Sequence, residues 1–190
     1  MSAQSEAMQD KKELIRRAAV KVIAEHGFHE ATTRMIATTA GVAIGSIYNY
    51  FSSKEDILAY IVEVERSRRV EFLRRIVQSD LPPRDKLRSF LEMHFRQVSE
   101  DPDTVRLVMR EFHFSNREEL EPLRSYFREI PVLLSRIVGE GLDEDDAHLR
   151  GIALFGAVQA FTLETLISPE SGSLTAESVT EALTGLFLVG

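Results

Sequence analysis

Apolar side chains recur every three or four residues along most of this chain, and that period restricts the fold more than any other feature. From Lys11 to His26 the apolar residues fall on one face of a helix. The alternating pattern of a half-buried strand is not found in the sequence. The chain is therefore predicted to be all-α, with about nine helices. The further predicted segments are 33–40, 44–51, 52–78, 85–99, 102–114, 121–138, 148–167 and 175–188.

Capping residues and proline predict where several helices begin or bend. Ser52 and Glu55 have the spacing of a capping box, in which the Ser52 hydroxyl accepts from the Glu55 amide. Asp101 followed by Pro102 predicts another start, since an acidic cap precedes a proline at the first helical position. Pro131 lies inside a predicted helix, so a kink or a break is expected there.

The composition narrows the class of protein. The chain of 190 residues has no cysteine, which excludes disulfides, thiolate metal sites and cysteine nucleophiles. The polar N-terminus lacks the apolar segment of a signal peptide. The longest nearly apolar run, 152–163, is too short to span a bilayer. We expect a cytoplasmic protein without a membrane partner.

Charge is distributed unevenly along the chain, although the net charge is -7. Residues 1–54 carry seven basic and five acidic side chains, while the remainder carries sixteen and twenty-five. This is either chance scatter or a mildly basic module on an acidic body. Three small N-terminal helices precede the longer ones. We therefore expect two domains, an N-terminal module at 1–53 and a helical body at 54–190.

Two short helices joined by a glycine turn near the N-terminus suggest a helix-turn-helix. Ala37 is small where the helices must approach, and Gly41 opens the turn. Val42 and Ile47 are apolar and can anchor the second helix to the first. The rest of that second helix is left to face outward, including tyrosines whose hydroxyls can bond phosphate oxygens. Tyr50 has two open interpretations, groove contact or packing.

The motifs carry a specific resemblance. The stretch GVAIGSIYNYFSSKEDIL, preceded by GFHEATTRMIATTA, resembles the DNA-binding module of the TetR/AcrR family of bacterial repressors. The resemblance covers residues 11–62, and the total length and the helical remainder also fit that family. It implies a homodimer that binds palindromic operator DNA and is released by a small effector, since ligand in the body tilts the helix that both domains share.

The resemblance also implies which residues contact DNA, because the family's third helix enters the major groove. Tyr48 and Lys54 match positions that contact the DNA backbone, and Ile44 to Ser46 match positions against base edges. Glycine and isoleucine carry little hydrogen-bonding information, so base recognition is expected to depend on Ser46, Arg34, methyl contacts and DNA shape. The expected DNA contacts are Thr33, Arg34, Ile44, Gly45, Ser46, Tyr48, Asn49, Tyr50 and Lys54.

The dimer interface is expected on the last two helices, which are the most apolar. The resemblance implies a four-helix interface with the same helices of a partner. The alternative is that 148–167 is the central buried helix, and we expect both roles in part. The predicted interface residues are Phe155, Val158, Phe161, Thr162, Leu183 and Phe187.

An effector pocket is expected among phenylalanines, methionines and arginines of helices 85–138. Such aromatic residues are otherwise ordinary core. The segments MREFHFSN and FGAVQAFTLETLI resemble the acyl-CoA-responsive repressors of fatty-acid degradation within the family, which implies a long-chain acyl-CoA with its phosphates near the arginines. The predicted ligand contacts are Phe90, Met93, Phe95, Arg106, Met109, Arg110, Phe112, Phe114 and Phe127.

Other classes of function have less support in the sequence. None of the five histidines has metal-binding spacing, and the chain has no phosphate-cradling glycine loop or nucleophile motif. We therefore expect no catalytic site, metal or cofactor. Two alternatives stay open: a helical partner-binding protein without DNA affinity, and a regulator of an efflux system that responds to hydrophobic compounds.

Overall fold

The computed structural model describes the backbone of residues 3–114, 121–167 and 175–188, and the side chains of 6–110, 124–167 and 175–188. Within these ranges every regular element is an α-helix, which confirms the predicted fold class. The helices are α1 (Ala3–His26), α2 (Thr33–Ala40), α3 (Ile44–Tyr48), α4 (Lys54–Val77), α5 (Pro83–Glu100), α6 (Pro102–Phe114), α7 (Glu121–Val138), α8 (Glu144–Ile167) and α9 (Ala176–Phe187).

The described side chains form two hydrophobic cores. The N-terminal core unites α1 to α3 with the first half of α4, where Ile57 and Ile61 are fully buried. The body core unites the second half of α4 with α5 to α9. Leu107 and Val108 of α6 reach back into the N-terminal core. Helices α4 and α6 therefore belong to both parts, and the first half of α4 packs in the N-terminal core although the helix begins at the predicted boundary, 53/54.

The start of α4 differs from the predicted capping box by one residue. The Ser53 hydroxyl accepts from the Asp56 amide at 3.0 Å, and the Asp56 carboxylate accepts from the Ser52 amide at 3.0 Å. The prediction of Ser52 with Glu55 was wrong because the sequence SSKED offers two registers. The Phe51 amide donates to the Ile47 carbonyl, so the hydrogen-bonded turn that follows α3 extends to Phe51, next to Ser52.

Helix α7 runs continuously through Pro131, so of the kink or break predicted there the break is not formed. Pro131 is buried, and α7 packs closely along α8 at this point. A Cβ atom at Gly151 would lie 2.4 Å from the Pro131 carbonyl oxygen, so only glycine permits this approach. Tertiary packing thus overrides the local preference of proline.

Some helix ends also differ from the periodic pattern. Helix α8 begins at Glu144 rather than His148, because the Asp143 carboxylate accepts from the Asp146 amide at 2.9 Å. The cap predicted at Thr175 is confirmed, since its hydroxyl accepts from the Ser178 amide at 3.1 Å. The staple predicted between Leu174 and Val179 includes Leu174, which lies outside the described residues.

Candidate DNA-binding surface and interior cavity

The turn between α2 and α3 is set by Gly41. This residue has φ 66°, in the left-handed region that favours glycine. The Gly41 amide donates to the Thr38 carbonyl at 3.2 Å, and the Val42 amide donates to the Ala37 carbonyl at 3.0 Å. Ile47 is fully buried against α2, as the helix-turn-helix prediction requires. The angle between the two helices is therefore fixed by hydrogen bonds and packing together.

One exposed surface unites α3 with the start of α2. Tyr48 is 54% exposed and Ile44 is 40% exposed, although both are large apolar side chains. The Tyr48 hydroxyl lies 3.2 Å from the Thr33 hydroxyl, which brings two predicted DNA contacts together across the motif. The other predicted contacts that are exposed on this module are Arg34, Gly45 and Asn49, and Ser46 is half-buried.

Two predicted DNA contacts have structural roles in addition. Tyr50 is half-buried and packs against the N-terminal core, which favours its packing interpretation. The Lys54 ammonium donates to the carbonyls of Phe28, His29 and Ala31, at 2.6, 3.2 and 2.9 Å. These bonds use all three of its protons. Lys54 therefore holds the loop before α2 rather than presenting a free charge, and its phosphate contact stays a prediction.

A small cavity of about 10 Å³ lies where five helices of the body meet. Its lining combines apolar side chains of α6 with polar side chains of α4, α5 and α8. Glu65 and Arg69 form a buried ion pair at 3.5 Å, and the Gln97 amide also donates to Glu65. The lining residues are Glu65, Arg69, His94, Val105, Val108, Met109, Tyr126, Gln159 and Thr162.

Burial shifts two titratable groups at this cavity. Burial and the nearby Arg69 charge hold the pKa of His94 well below its ordinary value, so the imidazole is neutral. Burial raises the pKa of Tyr126 above its ordinary value, with opposing effects from Arg69 and Glu65. The cavity is therefore lined by a neutral histidine, a neutral phenol and a matched pair of charges.

The predicted ligand contacts are divided between core and surface. Phe90, Phe95 and Met109 are buried in the body core, while Met93 and Phe127 pack at its edge. Arg106 is exposed and pairs with Asp103 at 3.1 Å, and Arg110 is half-buried. The side chains of Phe112 and Phe114 lie outside the described residues. Of the predicted residues whose side chains are described, only Met109 lines the cavity.

Sequence reasoning missed the polar members of this cavity. Glu65 and Arg69 share the helix face of Ile61 and Leu73, all buried. His94 similarly lies in the apolar stripe of α5 between Leu91 and Phe95. Polar residues at apolar positions of a helix period are a signal that was available in the sequence.

Most of the predicted dimer residues lie inside the chain's own core, which is the alternative left open for 148–167. Phe155, Val158, Thr162 and Leu183 are buried there and leave a partner little surface, and their interface role stays a prediction. Phe161 and Phe187 are half-buried. Helix α8 is apolar nearly all round, so periodicity could not tell its inner from its outer face. The exposed large apolar side chains of α8 and α9 are Leu149, Ile152, Leu163, Ile167 and Leu186.

Helix α8 is also, within the described residues, the one helix long and apolar enough to cross a membrane by length and composition alone. The predicted apolar run was shorter because it excluded the ends of this helix. In the fold α8 packs against α7 and α9.

A helix-turn-helix on a helical body defines a DNA-binding transcription regulator. Residues 15–61 match the family model of bacterial regulatory proteins, tetR family. Residues 80–190 match the tetracyclin repressor-like C-terminal domain. The chain belongs to the tetR family, which confirms the resemblance seen in the sequence.

Its relatives include regulators of fatty acid metabolism. The fatty acid metabolism regulator protein of Bacillus subtilis is 28% identical over 167 residues, covering 85% of this chain and 86% of that protein. The solved structure of FadR from Bacillus subtilis in complex with stearoyl-CoA has a TM-score of 0.80 and 26% identity, covering 94% of this chain and 98% of the other. FadR from Bacillus halodurans, a fatty acid degradation regulator, has a TM-score of 0.77 and 31% identity, covering 92% and 95%.

Proposed function

We propose that this protein is a cytoplasmic, dimeric transcriptional repressor whose affinity for operator DNA falls when a long-chain acyl-CoA binds the body. Residues 1–53 read DNA, and residues 54–190 bind the effector and the partner subunit. The observation that carries the proposal is the likeness to a FadR bound to stearoyl-CoA, which extends over 94% of this chain. The protein has no catalytic role in this proposal.

The DNA-binding part of the proposal rests on the exposed surface of α2 and α3. Exposing the apolar parts of Tyr48 and Ile44 to water costs free energy unless a partner covers them. The tyrosine hydroxyl can hydrogen-bond a phosphate oxygen of DNA. One five-residue helix reads few base pairs, so useful affinity requires two copies about 34–36 Å apart, one turn of DNA.

The proposed dimer interface is the exposed apolar side of α8 and α9. Five large apolar side chains are exposed on these two helices, and Leu186 is 70% exposed. Exposed apolar side chains in this number on two packed helices favour an interaction surface. A second copy of the chain would cover it with the same two helices, in a symmetric interface.

A conformational change in the body would reach the N-terminal DNA-binding module through α4 and α6. Both helices have residues in each core, so a ligand that separates body helices also moves the N-terminal core. The effector shifts this equilibrium only by its differential affinity for the two conformations.

The test measures DNA binding and effector response together. An operator fragment selected from random DNA is titrated by fluorescence anisotropy at several salt concentrations, with stearoyl-CoA, free stearate or CoA added. We expect DNA affinity that falls steeply with salt and that stearoyl-CoA reduces, while CoA has no effect. Failure to select DNA would support a partner-binding protein. Release by hydrophobic drugs but not by stearoyl-CoA would support an efflux regulator.

A further inference from the structure

The body contains a buried polar cluster that an apolar ligand pocket does not require. Glu65, Arg69, His94 and Thr162 are each at most 3% exposed, and they come from α4, α5 and α8. Buried polar groups destabilise a fold unless they have hydrogen-bond partners. The hydrogen-bonding capacity that the described residues leave unused at this cluster therefore indicates what could bind there.

The hydrogen bonds of His94 determine which of its nitrogens is an acceptor. The Thr162 hydroxyl donates its single proton to the Val158 carbonyl at 2.7 Å. It must therefore accept from His94 Nε2, which lies 2.7 Å away. A neutral imidazole has one N–H, so Nδ1 is an acceptor. His94 Nδ1 is buried and has no hydrogen-bond partner among the described residues.

Arg69 supplies a donor at the same cavity. Its Nη1 atom pairs with the Glu65 carboxylate at 3.5 Å, while its buried Nε–H has no hydrogen-bond partner in the described part of the chain. His94 and Arg69 both line the cavity, whose volume of about 10 Å³ suits a single oxygen atom the size of a water molecule. A neutral acceptor, His94 Nδ1, and a donor, Arg69 Nε, therefore remain unused on residues that line a space for one oxygen. Glu65 Oε1 also lacks a hydrogen bond, but it lies 3.6 Å from Arg68 Nη1 and pairs with that charge.

We propose that this cavity is a hydroxyl-recognition subsite, and that the preferred effector is an acyl-CoA whose chain carries a hydroxyl group. The hydroxyl donates to His94 Nδ1 and accepts from Arg69 Nε. This proposal rests on the proposed function, since it specifies the ligand of the same body.

Other oxygen groups fit the cluster less well. A carbonyl oxygen can accept from Arg69 but leaves His94 Nδ1 without a donor. A carboxylate finds no unmatched positive charge, because Arg69 already pairs with Glu65. A saturated chain leaves both groups unpaired, which costs free energy in a buried site. A resident water molecule is the remaining occupant, and it would give the protein no preference for a hydroxylated ligand.

The test compares stearoyl-CoA with hydroxystearoyl-CoA isomers whose hydroxyl lies near the thioester, in mid-chain or near the methyl end. Binding to the full-length protein is measured by calorimetry. We expect at least one isomer to bind about tenfold more tightly than stearoyl-CoA, the gain of one buried hydrogen bond. If stearoyl-CoA binds and no isomer binds more tightly, the subsite proposal is wrong. If no acyl-CoA binds at all, the proposed effector class fails with it.

Two substitutions assign the preference to His94. In His94→Gln the amide nitrogen lies as many bonds from Cβ as Nε2 and can still donate to Thr162, but the acceptor at the Nδ1 position is lost. In His94→Asn the amide oxygen lies as many bonds from Cβ as Nδ1, which restores that acceptor. The hydroxyl preference should disappear in the first variant and persist in the second. Leu87→Met, a volume-conserving change in the same helix away from the cavity, should keep it.

A spectroscopic measurement on the unmodified sequence avoids any folding defect of these variants. In protein labelled with ¹⁵N-histidine, the unprotonated Nδ1 resonance of His94 should move when the preferred hydroxylated ligand binds. It should move much less with stearoyl-CoA. Equal shifts with both ligands would show that the nitrogen does not meet the hydroxyl.

Discussion

At the scale of single residues, Tyr48 is the side chain whose exposure is hardest to explain without DNA. It is 54% exposed, and its hydroxyl is positioned by Thr33 at 3.2 Å. We expect Tyr48→Ala to weaken operator binding ten- to a hundredfold, the loss of a hydrogen bond to a charged phosphate. The free energy of unfolding should change by less than about 0.5 kcal/mol, as for other surface substitutions. Anisotropy titrations and urea unfolding measure the two effects, and undiminished binding would contradict the role.

Lys54 is predicted to matter for folding, in contrast to Tyr48. Its ammonium bonds three carbonyls of the 28–31 loop. Lys54→Met keeps the apolar stem but leaves these carbonyls without their donor, and we expect a loss of about 2 kcal/mol in the free energy of unfolding. Lys11→Met removes the same charge from an exposed site and should cost little. If Lys54→Met instead lowers only the salt dependence of DNA binding, the lysine contacts phosphate directly.

At the scale of elements, the start of α4 offers a matched pair of substitutions. The Ser53 hydroxyl caps the helix, whereas Ser52 contributes its backbone amide alone to the capping bonds. Ser53→Ala should therefore lower the free energy of unfolding by about 1 kcal/mol, and Ser52→Ala should leave it nearly unchanged. Thermal and urea unfolding check the difference. The reverse order would restore the register first expected from the sequence.

Periodicity predicted the helices but could not assign every helix face. On α2 and α3 the sequence placed Ile36 and Ile47 inward, and both are fully buried. On α8 nearly every position is apolar, so the sequence could not distinguish Val158, which is buried, from Leu163, which is exposed. The cavity was missed for a related reason. Its members are far apart in sequence, and His94 meets Thr162 only after α5 and α8 have packed.

At the scale of the whole molecule, His94 links stability to pH. Burial and the Arg69 charge hold the pKa of His94 well below the ordinary 6.5. The acidic side chain that lines the same cavity is Glu65. Below pH 6.5 the unfolded chain binds a proton on the His94 imidazole that the native protein does not bind. The free energy of unfolding therefore falls as pH falls.

The expected slope from this residue approaches about 1.4 kcal/mol per pH unit below pH 6.5. His94→Gln removes this titration, so the difference in unfolding free energy between the two proteins should shrink as the solution is acidified toward pH 5.5. Urea unfolding at fixed protein concentration measures it, because a dimer's stability depends on concentration. Parallel curves for the two proteins would mean that His94 titrates alike in the native and unfolded states.

In the proposed function, the assembly of two chains converts one weakly binding DNA-recognition helix into a repressor. Five large apolar side chains of α8 and α9 are exposed among the described residues, and Leu186 is the most exposed of them. We expect Leu186→Glu to place a charge in the dimer interface and to convert the protein to a monomer in light scattering. Operator affinity should fall at least a hundredfold, since the two reading helices would then bind separately. Leu81→Glu introduces the same charge at an exposed leucine between α4 and α5, outside the two helices of the proposed interface, and should leave both properties intact. A dimer that persists in Leu186→Glu but dissociates in Leu81→Glu would move the interface to the surface around Leu81.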